Sequence, residues 1–191
     1  MAASPQSPSP YATKVDGSLV ELVQPTPDPL ATPRSANGSH HPASRHNTSP
    51  ALAQANMERQ LQGQLLVLIN QDRTSQGLNA YMLNRAMSAG ARLHSQRMAS
   101  CGMSHQCPGE DEPCKRMSHE GISWTNCGEN VGYTSAMTWA GVRQIEQNML
   151  AEQPPDDGHR LNLLNSSYNR VGVGIYVDAQ GIVWVTEDFA G

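Results

Sequence analysis

No stretch of the 191 residues is apolar for long: the strongest run, Leu65 to Ile69, is five residues, far short of the roughly 20 that a membrane helix needs. No transmembrane segment is expected. The net charge is only -4, and no basic cluster interleaved with aromatics appears, so the electrostatic footprint of a nucleic-acid binder is missing. The first ten residues, MAASPQSPSP, show neither the charged run nor the apolar core of an export leader. The compartment must therefore be argued from the cysteines. There is no internal repeat, no HExxH, no GxSxG elbow and no CxxC, which removes the usual signatures of zinc proteases, serine hydrolases and thioredoxin-like proteins.

What is present is unevenly spread. Nine of the 13 prolines fall in the first 50 residues, in a segment mixing Pro, Ser, Ala and Thr without an apolar run at helix or strand period. Such a stretch buries too little to offset its ordering entropy, and residues 1–54 are expected to be a disordered linker ahead of a domain spanning 55–191. In that domain Met57, Leu61, Leu65 and Leu68 form a helical stripe that ends at Gly77. A second helix is predicted from Asn84 to Ser100, with Met87, Ala91, His94 and Met98 on one face and Gly102 as its stop. A third, from Ala136 to Glu152, aligns Val142, Ile145 and Met149 and carries Glu152 onto that apolar face. Pro154 and Pro155 end it, and Asp156 or Asp157 caps a short helix through His159 to Leu164. VGVGIYV (171–177) and IVWVTEDF (182–189) read as a hairpin joined by DAQG, with NVGYTS (130–135) as a weaker third strand. Helices that precede and interrupt a run of strands predict an α+β fold with helices packed on a small antiparallel sheet.

All four cysteines, Cys101, Cys107, Cys114 and Cys127, lie within 27 residues. Structural zinc sites favour ligand pairs two to four residues apart, and none occurs here. Two disulfides that staple a loop rich in Gly and Pro fit better, and they imply an oxidising, extracellular location. Three pairings are open; the nested one, Cys101 with Cys127 and Cys107 with Cys114, is preferred. The acid run Glu110, Asp111 and Glu112 lacks the DxDxDG spacing of a calcium loop and is expected to be a solvated turn. His40, His41, His46 and His119 are expected to be solvated, His94 to be a core or surface-bordering helix residue, and Trp124, Trp139 and Trp184 to be packing residues.

His105 in MSHQ, Glu129 in CGENVGY, Glu152 in MLAE and His159 in GHRLNLLN remain conspicuous. Together with YNRVGVGIYV and WVTEDFA, in this order from about Met57 to Gly191, these motifs resemble the CAP superfamily, which takes in cysteine-rich secretory proteins, insect antigen 5 and plant pathogenesis-related proteins. The likeness is to its bacterial, SCP-like extracellular branch, since the chain has GHRLN where animal members show GHYTQ; Met149 also replaces the aromatic that usually precedes the glutamate. The resemblance implies an α-β-α sandwich, secretion, and a cleft lined by His105, Glu129, Glu152 and His159.

Neutral imidazoles bind zinc or a related divalent ion, and carboxylates orient them or hold a bound water. The expected function is thus a secreted module whose cleft binds a metal through His105 and His159 and accepts a small or lipid-like ligand. One alternative is a metal-dependent hydrolase acting on extracellular peptide, ester or cell-wall substrates, with Glu129 and Glu152 as its acid–base groups. A second is a disulfide-stapled interaction module whose tetrad is a buried polar network without metal.

Overall fold

The computed structural model describes residues 49–191. The linker expected over 1–54 lies outside these residues up to position 48; its last part is helix. Ser49 accepts the Leu52 amide with its side-chain Oγ, and Pro50 stands in the first turn, a position where its fixed φ and missing N–H cost nothing. Helix α1 therefore spans Pro50–Ser75, seven residues ahead of the expected stripe. Leu61, Leu65 and Ile69 are its buried row, at a spacing of four, while Leu68 looks toward a groove beside α4. Gly77, with φ of +75°, turns the chain away.

Eight further elements follow: β1 (Met82–Leu83), α2 (Arg85–Cys101), α3 (Pro113–His119), β2 (Cys127–Thr134), α4 (Trp139–Leu150), α5 (Gly158–Leu163), β3 (Arg170–Val177) and β4 (Val183–Ala190). The strands form one sheet in the order β1-β3-β4-β2, antiparallel except for the short β1, which runs parallel to β3. Sequence patterning anticipated α1, α2, α4, α5, β3 and β4. It missed β1 and α3, which are too short to show a period, and it started the third strand three residues late: β2 begins at Cys127 and pairs with β4 along its whole length.

Helix α2 covers one face of the sheet, with α3 beside it; α1, α4 and α5 cover the other. The α-β-α sandwich expected from the resemblance is what the chain adopts. The VGVG stretch shows why α2 sits so close. A Cβ on Gly172 would stand 2.4 Å from the Cβ of Met87, and one on Gly174 would stand 2.2 Å from the backbone of Ala91, so only glycine admits the helix there. On the other face Leu61, Leu65, Ile69, Val142, Met149, Val171, Val173, Val185 and Phe189 make the main core.

Strand β4 is central and buried at all eight positions, yet it carries Thr186, Glu187 and Asp188. Their alternation sends Glu187 toward α4 and α5, and Thr186 and Asp188 toward α2 and α3. Two polar layers thus run through the middle of the molecule, on opposite sides of one strand.

Candidate functional site

The site is built around β2, an edge strand, and the GEN stretch of residues 128–130 explains itself residue by residue. At Gly128 a Cβ would meet the Asn162 Oδ1 of α5 at 2.6 Å and the Tyr168 hydroxyl at 2.7 Å, so glycine lets α5 approach. Asn162 Nδ2 donates to the Glu129 carbonyl at 3.2 Å and to Asn130 Oδ1 at 2.9 Å. Asn130 Nδ2 in turn donates to the His159 carbonyl at 3.3 Å and to Glu187 Oε2 at 3.1 Å. The far end of α5 is tied by Arg73, whose Nη1 donates to the Leu163 carbonyl at 2.6 Å, and by Tyr81, whose hydroxyl donates to the Asn162 carbonyl at 2.9 Å. His159 is therefore held on a short helix fixed at both ends.

On the α2 face, Glu129 is fully buried and receives the His105 Nδ1 at 2.8 Å. Arg116 of α3 holds both partners. Its Nη2 donates to Glu129 Oε2 and its Nη1 donates to the His105 carbonyl at 2.8 Å. Burial, then the neighbouring Arg116 charge, push the His105 imidazole down to about 4, so the ring is neutral at physiological pH. Burial raises the carboxyls of both Glu129 and Asp188, Asp188 to well above its ordinary value, and their mutual hydrogen bond raises Asp188 while lowering Glu129. Asp188 thus hydrogen-bonds Glu129, on which Arg116 also converges.

On the α4–α5 side, Glu152 takes His159 Nδ1 at 2.5 Å through one oxygen and the His159 backbone N–H at 3.0 Å through the other. Asp157 occupies the N-cap position but makes no capping bond with its side chain; Glu152 performs that task. The four residues expected in the cleft meet as two histidine–carboxylate pairs, His105 with Glu129 and His159 with Glu152. Among the described residues no three of the four offer ligand atoms within 4.8 Å of one another, so the set can give one ion at most two direct ligands.

The cysteines pair as Cys101–Cys107 and Cys114–Cys127, with Cα separations of 5.9 and 5.8 Å. Two disulfides were expected, but the nested pairing is overturned. The reason is α3: once Pro113–His119 is a helix lying beside β2, Cys114 faces Cys127, and Cys107 is left near the C-terminal end of α2. The acid run is corrected too. Glu110 is not solvated; its Oε2 meets His94 Nδ1 at 2.8 Å and accepts the Cys107 amide at 3.2 Å.

His94 is completely buried, and its Nε2 donates to the Ser104 carbonyl at 2.8 Å, pinning the loop that carries His105. His94, Cys107 and Glu110 are the one group of three whose ligand atoms cluster among the described residues. They cannot serve a cation as they stand: the Cys107 sulfur is spent on Cys101 and both imidazole nitrogens are engaged. Sequence reasoning missed Arg116 and Asn162. Asn162 was visible in the quoted GHRLN motif; Arg116 sat in a stretch without helical period.

The profile of the cysteine-rich secretory protein family (CAP) matches residues 66–189. The uncharacterized protein YkwD of Bacillus subtilis (strain 168) is 29% identical over 154 residues, taking in 80% of this chain and 56% of that protein. The chain thus spans little more than half the length of this curated relative. Among solved structures, an extracellular SCP-domain protein from Bacillus anthracis superposes with a TM-score of 0.63 at 23% identity, covering 74% of this chain and 43% of that one. An outer surface protein of Borrelia burgdorferi gives 0.59 at 14% identity, covering 69% and 92%. At these identities the structural likeness shows the fold.

Proposed function

The chain belongs to the cysteine-rich secretory protein (CAP) family, and on that premise we propose that it is a secreted binding module in which His105 and His159 hold a divalent cation such as zinc. The observation that carries this reading is the state of the two rings. Each commits Nδ1 to a glutamate, the arrangement by which metal-binding histidines are oriented and made more basic through their second nitrogen. Nε2 is then the donor atom of each. The donor set fits a borderline ion: two imidazole nitrogens directly, with Glu129 and Glu152 behind them, and water completing the shell. A bound ion would supply Lewis acidity at the cleft. The paired cysteines and the absence, among the described residues, of any helix long and apolar enough to cross a membrane are consistent with an oxidising, extracellular location.

Metal analysis of protein purified oxidised and equilibrated with zinc tests the reading. The wild type is expected to retain zinc, and His105→Ala combined with His159→Ala to lose it while keeping its cooperative unfolding. Equal metal in both would end the proposal.

The same module would take its organic ligand in the groove of about 580 Å³ between α1 and α4. Val67, Leu68 and Trp139 give it apolar lining, and Arg59 and Arg143 give it positive charge. This combination suits an amphiphile with an anionic head, such as a fatty acid. Arg143→Glu is expected to weaken fatty-acid binding roughly tenfold or more, the scale of one lost charge-assisted hydrogen bond, measured by displacement of a fluorescent fatty acid. Unchanged affinity would remove the groove from the reading.

A further inference from the structure

Glu146 projects from α4 into the core, 1% exposed, and neither of its carboxyl oxygens has a partner among the N–H and hydroxyl groups around it. Opposite stands Glu187 of β4, equally buried, with one oxygen accepting from Asn130 Nδ2. The ionisable groups that bear on the pair are Asp72 of α1, Tyr81 ahead of β1 and His159 of α5; none is a lysine or arginine.

We propose that Glu146 and Glu187 form a buried proton-binding site that clamps α4 to the central strand, and that loss of its proton loosens the Glu152–His159 pair. Two touching carboxyls in a dry core cannot both ionise. One proton therefore stays, and it resides on Glu146: Glu187 already has a donor in Asn130, whereas Glu146 has none and must itself donate. Burial and the facing acids raise Glu146 well above the ordinary carboxylate range, and the bond from Glu146 stabilises ionised Glu187. A metal is the poorer occupant, since among the described residues no third ligand atom joins these two. The clamp reaches the histidine by two routes. Asn130 Nδ2 bridges Glu187 to the His159 carbonyl, and α4 runs directly on to Glu152.

The sign of the pH dependence follows. An acid whose folded pKa is raised binds more proton folded than unfolded, so its stabilisation is complete below the unfolded carboxylate value and is lost as pH rises toward the folded one. Thermal unfolding of wild type and Glu146→Gln from about pH 5 to about pH 9, in EDTA and in calcium, tests this. Glutamine keeps an N–H donor toward Glu187 and has no proton to lose. The wild-type Tm is expected to fall with pH relative to the variant, whose flatter curve crosses above it on the alkaline side, with calcium changing neither. Parallel curves would overturn the proposal, as would a Glu146-dependent rise of Tm in calcium. Because the variant could fail to fold, the wild type labelled with ¹³C at glutamate carboxyls is titrated by NMR as well. The Glu146 resonance should remain that of a protonated acid well above the ordinary carboxylate range; ionisation within that range would refute it.

Discussion

Arg116→Met is expected to lower the unfolding free energy by about 3 to 5 kcal/mol, the cost of removing one partner from a buried charge network. Arg116 is 9% exposed and lies among Glu129, Glu110 and Asp188. Methionine fills the space of its stem but leaves Glu110, Glu129 and Asp188 facing one another without the cation that holds them. Denaturant unfolding with an unchanged m-value checks the size of the loss. Two further readouts separate lost charge from lost packing. Adding Glu129→Gln to Arg116→Met should restore part of the stability, a positive coupling that a packing defect would not show. The defect should also shrink in acid. Without the guanidinium the Glu129 carboxyl rises further, so the folded variant gains protons over the unfolded one, and its stability is greatest at low pH and falls as pH rises. A loss independent of pH would contradict the network. The same change should weaken zinc retention, because Arg116 fixes both the carboxylate and the backbone of His105.

The second large effect is the removal of disulfides, and it is not equal for the two. Cys114–Cys127 closes a separation of 13 residues and Cys101–Cys107 one of 6. Loop-closure entropy assigns them about 3 and about 2 kcal/mol. Replacing Cys114 and Cys127 by serine should accordingly destabilise the protein more than replacing Cys101 and Cys107. Both should weaken the metal site, by different routes. Cys101–Cys107 closes the loop that contains His105, whereas Cys114–Cys127 ties the helix of Arg116 to the strand of Glu129. Peptide mapping without reduction checks the pairing itself; a peptide joining Cys101 to Cys127 would refute it and revive the nested arrangement.

Much of this protein was legible in its residues. The stripe of α1, the inward face of α2, and the β-branched runs of β3 and β4 are local signals, because period depends on neighbours in the chain. His105, Glu129, Glu152 and His159 were singled out as cleft residues from motifs resembling those of the family. Their hydrogen bonding as two separate pairs was not legible, because that depends on contacts between segments far apart in the chain.

The sequence by itself determined the elements long enough to show a period, the α+β class and the presence of two disulfides, since these rest on side-chain chemistry and short-range spacing. Only the tertiary structure decided which cysteines meet, that Glu110 and His94 are buried together, that Arg116 governs the His105 site, and that Glu146 and Glu187 share a dry core. Each depends on contacts between residues far apart in the chain, where burial, rather than residue type, decides whether a carboxylate is a solvated charge or half of a proton-sharing pair.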